Sequence, residues 1–171
     1  MKNFVLAASA AVAVLATTGA QAQDYTFSGG YERADFDGIE LDTIVLRGAY
    51  FFNENFGLEG QVNFGVNDET VTIGGVTADV DLDYGFGGFG VYRFQASDNF
   101  NILARAGYVH AEVEASASGI TVSEDDGAFA AGLAAEWFLD GRNGVRFDYT
   151  YADYDNDTSF YGVSYVRRFG G

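Results

Sequence analysis

The fold is decided by the stretch Val145-Arg146-Phe147-Asp148-Tyr149-Thr150-Tyr151, near the end of the 171-residue chain. Its odd-numbered residues are aliphatic or aromatic, whereas Arg146, Asp148 and Thr150 are polar. A repeat of two residues is typical of a β-strand, because successive side chains lie on opposite faces of a sheet. The stretch therefore predicts a strand with one apolar and one polar face.

The same alternation recurs along the chain and predicts eight strands. They cover residues 24–33, 43–52, 56–66, 82–94, 100–110, 128–139, 145–151 and 161–169. Eight alternating strands without an intervening helical pattern indicate an all-β, antiparallel barrel.

The connections between these strands are of two kinds. Residues 53–55, 95–99 and 140–143 form short turns that recur about every 44 residues. The aromatic residues beside these turns are Phe52, Phe56, Phe94, Phe100, Trp137 and Phe138. Longer polar connections cover residues 34–41, 67–81, 112–127 and 152–159. Short turns on one rim and long loops on the other are typical of an outer-membrane barrel, with the turns in the periplasm.

The N-terminus has the sequence pattern of a secretory signal peptide. Lys2 precedes a short apolar run over residues 4–16, and Ala20-Gln21-Ala22 provides a small-x-small cleavage site. A membrane-spanning helix is the alternative, but thirteen residues rise only about 20 Å, short of a hydrocarbon core of roughly 30 Å. We predict a signal peptide over residues 1–22 and a barrel domain over residues 23–171.

The composition excludes several classes of protein. After residue 22 the chain carries eight Arg and no Lys against 25 acids, a formal net charge of −17. Nucleic-acid binding requires a basic surface and is therefore not expected. The chain contains no Cys, which excludes disulfides and thiol chemistry. Seventeen of the acids lie in or beside the four long connections.

The aromatic face of the strands can point inward, as in a soluble lipid-binding barrel, or outward to lipid. That face carries about two dozen large side chains. The interior of an eight-stranded barrel is only just wide enough to be filled by side chains, so they do not fit inside without a sizeable cavity. Aromatic residues beside the turns also match the girdle of a membrane barrel. We therefore predict that the aromatic face contacts lipid.

The second face is charged and would then line the lumen. Four acids and five Arg share it: Glu32, Arg47, Glu59, Arg93, Arg105, Glu136, Arg146, Asp148 and Arg168. Unpaired ions are costly in such an interior, so near-equal opposite charges predict an ion-pair network. The network is either the packed polar core of a closed barrel or the lining of a narrow pore. The size of the barrel favours the core.

The chain ends on Tyr161-Gly162-Val163-Ser164-Tyr165-Val166-Arg167-Arg168-Phe169, followed by two glycines. With the strands and turns, this ending resembles the small outer-membrane β-barrel family of porin-like proteins that includes the OmpA barrel domain, OmpX and Opa-like proteins. The resemblance implies an eight-stranded, up-and-down transmembrane β-barrel. It also implies export to the periplasm, recognition of the last strand by the outer-membrane assembly machinery, and residence in the outer membrane of a Gram-negative cell.

The sequence offers little for catalysis or metal binding. Its one histidine, His110, has no Ser two residues along on its face, so we predict no catalytic residue and no enzyme. Residues 79–83 and 153–157 resemble the start of a calcium loop but lack its Gly and its final acid. We predict no cofactor. Divalent cations bridging the acidic loops to lipopolysaccharide phosphates remain a hypothesis.

Two functions follow from these features. The first is a non-enzymatic protein of the cell envelope, a barrel whose acidic extracellular loops serve structure or surface interaction. The alternative is a narrow passive porin-type channel for small solutes. For either function we predict a monomer whose partners are outer-membrane lipid, lipopolysaccharide and the assembly machinery.

Overall fold

The computed structural model describes residues 24–36, 39–66, 68–73, 76–117, 120–154 and 157–170. The predicted signal peptide lies outside the described residues and stays a prediction. The strands are β1 (Asp24–Phe36), β2 (Ile39–Phe51), β3 (Phe56–Gly65), β4 (Asp68–Ile73), β5 (Val76–Ser97), β6 (Phe100–Ala117), β7 (Ile120–Phe138), β8 (Asn143–Asp153) and β9 (Asp157–Phe169). In the described part of the chain, no helix is long and apolar enough to cross a membrane.

The strands close into a ring. Each pairs with its neighbours antiparallel in the order β3-β2-β1-β9-β8-β7-β6-β5-β4, and an additional pairing of β3 with β5 closes the wall. β4 follows β3 and pairs with the same partner strand, so the two share one position in the wall. β1 pairs with the last strand, with Tyr25 opposite Phe169. The prediction of an eight-stranded antiparallel barrel is confirmed.

Burial alternates along the walls as the sequence pattern requires. On β8 the residues alternate strictly between buried and more exposed positions. Large apolar side chains such as Phe27, Leu58, Phe86, Phe147 and Tyr165 are exposed on the outside of the ring. Their exposure is that of a surface which contacts lipid rather than water. The aromatic face is therefore the outer face, as the membrane alternative requires.

Two of the three short turns are held by a side-chain oxygen at their first residue. Asn53 Oδ1 accepts hydrogen bonds from the backbone N–H groups of Asn55 (2.9 Å) and Phe56 (2.7 Å). In the last turn Asp140 Oδ1 accepts the N–H of Arg142 at 3.0 Å, and Gly141 adopts a φ of 77°. Such Asx turns make up for the ladder hydrogen bonds that the backbone loses there. We take this rim to be periplasmic, because the connections there are short.

The Asp140 turn gives a pH-dependent prediction. The backbone N–H of Asn143, its side-chain amide and the N–H of Arg142 lower the pKa of Asp140 from 3.8 to about 2. Since the folded pKa is depressed, this group stabilises the fold above pH 4, and that contribution disappears as the pH falls through 2. Asp140→Ala should lower the urea midpoint at pH 7, and the difference from wild type should shrink towards pH 2. A difference that is constant from pH 7 to pH 2 would contradict this.

All four predicted long loops are largely strand in the described part of the chain. Residues 34–41 include the end of β1 and the start of β2, and residues 152–159 include the end of β8 and the start of β9. Residues 67–81 include β4 and the start of β5, and residues 112–127 include the ends of β6 and β7. The interpretation as loops was wrong because charge was taken as a sign of irregular structure. Residues 67–81 and 112–127 contain Val and Thr, which favour strands. A strand outside the membrane tolerates acidic side chains on its surface.

These segments continue the sheet beyond the barrel. β3 pairs with β5 only as far as Phe64 opposite Tyr84, and β7 pairs with β8 only as far as Phe129 opposite Asp153. Beyond those points β4, β5, β6 and β7 pair among themselves. We call residues 68–73, 76–83, 112–117 and 120–128 the extracellular extension. Its sequence holds ten acids and no Lys, Arg or His.

Candidate functional site

The polar face of the strands lies inside the barrel, at mid-height. The side chains of seven of the predicted residues are 0–1 % exposed there and approach one another within ion-pair distance. We call them the central network: Glu32, Arg47, Glu59, Arg105, Glu136, Arg146 and Asp148. They come from β1, β2, β3, β6, β7 and β8, so their contacts cross the lumen rather than follow one strand.

Glu59 is the middle of the central network. Its Oε1 accepts a hydrogen bond from Arg105 Nη1, and its Oε2 accepts one from Arg146 Nη1, both at 2.6 Å. Arg146 also lies 3.7 Å from Glu136 and donates through Nε to Asp148 at 2.9 Å. One carboxylate therefore bridges two guanidinium groups, and charge-assisted hydrogen bonds of this kind are among the strongest in proteins.

The remaining pairs tie the opposite wall to this centre. Arg47 donates through Nη2 to Glu32 and lies 3.5 Å from Asp148 through Nη1. Asp148 also accepts from Arg105 at 3.4 Å, so it contacts all three guanidinium groups of the central network. Four carboxylates thus face three guanidinium groups. Since a lone buried ion costs several kcal/mol, mutual pairing is what makes this interior tolerable.

Neutral polar side chains complete the central network, and the sequence analysis did not include them among the site residues. Gln61 Oε1 accepts from Arg105 at 2.9 Å, and Thr150 Oγ1 does so at the same distance. Asn63 donates to Glu32 at 2.6 Å, and Asn101 donates to Glu136 at 3.3 Å. Each lies two or four residues from a charged member on the same face of its strand. That spacing is the signal by which they could have been found.

Arg93 and Arg168 lie in a different layer, beside the periplasmic turns. Both approach Asp24, which the sequence analysis did not single out: Arg93 Nη1 binds its Oδ2, and Arg168 Nε lies 3.8 Å away. The Arg93 guanidinium stacks over the Phe51 ring at 4.0 Å, and Arg168 stacks over Phe138 at 4.1 Å. Phe138 was expected beside a turn in the lipid-facing girdle, but it is fully buried in the lumen.

A small cavity of about 20 Å³ lies next to the central network. Gln61, Asn63, Val109, Tyr154 and Phe160 are among its lining residues. That volume is enough for about one water molecule. Chemically, the interior offers paired charges and a small, mostly apolar space, an arrangement suited to packing the barrel.

The other residues considered for chemistry take no part in the central network. The His110 ring contacts the outward-facing Phe86 ring, with centroids 4.9 Å apart. Residues 79–83 belong to β5, where an extended backbone cannot wrap around a cation as a calcium loop does. Residues 155 and 156 of the second stretch lie outside the described part of the chain. Among the described residues no group of three or more acids or histidines is placed to hold a metal ion.

The sequence matches the family model described as "Outer membrane protein beta-barrel domain" over residues 4–169. The chain belongs to this family. It is accordingly a protein of the outer membrane, as its ending and alternating strands predicted. No curated protein matches the chain by sequence.

Solved structures of outer-membrane barrels are similar to this chain over most of its length. Ail of Yersinia pestis is 18 % identical, with a TM-score of 0.64, over 87 % of this chain and 100 % of its own. Neisserial surface protein A is 10 % identical, with a TM-score of 0.66, over 89 % and 100 %. OprG of Pseudomonas aeruginosa is 14 % identical, with a TM-score of 0.65, over 90 % and 99 %. At these identities they show the fold alone.

Proposed function

We propose that this chain is a non-enzymatic outer-membrane protein whose closed barrel holds an acidic, strand-built extension at the cell surface. The observation that carries the proposal is the burial of the central network, whose side chains are all within 1 % of complete burial. A lumen packed in this way serves as a rigid support. Its ion pairs link strands on opposite sides of the barrel and hold the wall in one shape.

The extension supports a role in surface contacts. Its strands pair with one another, whereas the pairing of β3 with β5 ends at Phe64 and the pairing of β8 with β7 ends at Asp153, before the extension begins. Ten acids without a cation give it a strongly negative surface. We infer that it faces cationic partners or the divalent cations that accompany lipopolysaccharide. The β1–β9 pairing closes the barrel within one chain, which supports a monomer recognised by the assembly machinery through β9.

The alternative function is a narrow passive channel, and planar-bilayer recording distinguishes the two. Refolded mature protein should give no steady unit currents, because Arg105 and Glu59 occupy the lumen as a buried pair. The matched variants are Arg105→Gln and Glu136→Gln, which change lumen charge at nearly constant side-chain size. Steady wild-type currents whose size changes in either variant would establish the channel and reject the closed barrel.

Divalent cations should stabilise the protein in lipopolysaccharide. Because the extension and the lipid phosphates are both negatively charged, close contact between them requires divalent cations that bind to both. Chelation of Ca²⁺ and Mg²⁺ should lower the unfolding temperature by several degrees, which corresponds to about 1 kcal/mol for a domain of this size. The control is the same protein in zwitterionic phosphatidylcholine, where chelation should have no effect. Equal responses in the two lipids would refute the bridging.

A further inference from the structure

A second set of side chains crosses the lumen at the periplasmic end. We call Asp24, Phe51, Arg93, Phe138 and Arg168 the periplasmic floor. They belong to β1, β2, β5, β7 and β9, which are five of the eight positions around the wall. Because β5 and β2 are separated by β3, and β9 and β7 by β8, the contacts among these residues run across the opening.

The floor combines two rings with two cations held by one carboxylate. Phe51 and Phe138 are 1 % and 0 % exposed although they lie at the ends of their strands. Each carries a guanidinium over its face, Arg93 at 4.0 Å and Arg168 at 4.1 Å. Asp24 joins the two guanidinium groups, and Arg93 Nε donates to the backbone carbonyl of Glu54 at 3.0 Å. The floor is therefore attached to β1 through Asp24 and to the turn over residues 53–55 through Glu54.

Four apolar side chains, each on a different strand, lie between the floor and the central network, whereas on β7 Glu136 of the network is itself the inner-face residue next to Phe138. On β2, Ala49 lies between Phe51 of the floor and Arg47 of the network. On three other strands the corresponding positions are occupied by Val91, Leu103 and Val166. All four are at most 3 % exposed. These aliphatic side chains offer no hydrogen-bonding group to a water molecule or an ion that lies between the floor and the network.

We propose that the periplasmic floor forms a second closure of the lumen, in addition to the central network. The inference rests on the proposed closed barrel and extends it: opening the central network alone leaves the protein non-conducting. Salt bridges would then not be the only barrier. An ion entering from outside past the neutralised network would still meet the stacked rings and guanidinium groups of the floor.

The test uses four proteins and two measurements. The central variant carries Glu59→Ala with Arg146→Ala, which removes one negative and one positive partner together. The floor variant carries Phe51→Ala with Phe138→Ala, and the fourth protein carries both pairs of changes. The mature chain has no Cys, so Ala49→Cys provides a single reporter between the two closures. Heat-modifiable migration on gels checks folding in every case.

Reaction of this cysteine with a charged methanethiosulfonate is measured in nanodiscs, where both rims are accessible. The wild-type background should react slowly, and each single-layer variant should react at least about tenfold faster, since thiol reactivity follows access. In planar bilayers, without the reporter, only the combined variant should give steady currents. If the floor variant does not fold, Asp24→Ser with Arg93→Ser replaces it, with the same expected results.

Three results would overturn the second closure. One is steady current from the central variant alone, and another is a reporter in the wild-type background that reacts as fast as in urea-unfolded protein. A non-conducting combined variant in which the reporter stays protected would also contradict it. Steady currents from the wild-type barrel would reject the proposed function as well, whereas currents that first appear in the central variant reject only the second closure.

Discussion

Glu59→Leu is expected to destabilise the folded barrel by about 3–5 kcal/mol, because it leaves two buried guanidinium groups without their shared partner. Arg105 and Arg146 each donate to Glu59 at 2.6 Å, and all three side chains are at most 1 % exposed. The measurement is equilibrium unfolding in urea of protein folded in lipid vesicles. Leu has nearly the volume of Glu, so loss of packing contributes little.

Two controls separate the charge effect from a general effect of substitution. Glu40 forms an ion pair with Arg33 at 2.8 Å on the outside, where both are about half exposed. Glu40→Gln should therefore cost less than about 1 kcal/mol. Adding Arg146→Met to Glu59→Leu should recover part of the lost stability, because one unpaired charge is then removed. A Glu59→Leu effect no larger than that of Glu40→Gln would contradict the central network as described.

Gly107→Ala is expected to cost about 1–3 kcal/mol, the range for forcing an extra methyl group into a packed site. A Cβ at Gly107 would lie 2.7 Å from Phe89 Cα and would also meet the carbonyl oxygen of Gly88. Those atoms are backbone of β5, which pairs with β6 at this point. The two strands would have to separate, so the loss should appear in the same urea unfolding experiment.

Gly88→Ala is the matched control for Gly107→Ala. Gly88 lies on the neighbouring strand and on the outer face, and a Cβ there meets no atom of the described residues within 4 Å. The change should be neutral or stabilise the protein by up to about 1 kcal/mol, since it reduces the freedom of the unfolded chain. If the two substitutions lower the free energy of unfolding equally, the close approach of β5 and β6 is not the reason for a glycine at position 107.

The faces of the barrel could be predicted from the sequence because lipid and a packed lumen impose opposite demands on alternate residues. The stretch 145–151 shows this: its burial alternates as its chemistry does. The positions of Glu59 and Arg105 on the inner face followed from the same period. Which of these residues meet could not be predicted, because contacts across the lumen depend on the stagger of strands that are distant in the ring.

The errors have physical causes as well. Phe138 was grouped with Trp137 because both are aromatic and adjoin a turn, but adjacent residues of a strand point to opposite faces. Asp24 was not singled out because its partner Arg93 is 69 residues away in sequence. Residues 67–81 were expected as a loop because acids are rare in buried strands. Outside the membrane a strand has no such restriction, and pairing with β5 and β6 decides the structure there.

The central claim is that the aromatic face meets lipid while the charged face fills the lumen, and Trp137 tests it most directly. It is the only Trp of the chain, lies on the outer face of β7 and is 58 % exposed. Its fluorescence should be strongly quenched in vesicles of lipids brominated near the headgroup end of the acyl chain, and little affected by aqueous iodide. Strong quenching by iodide with none by brominated lipid would contradict the assignment of the faces, and with it the closed lumen.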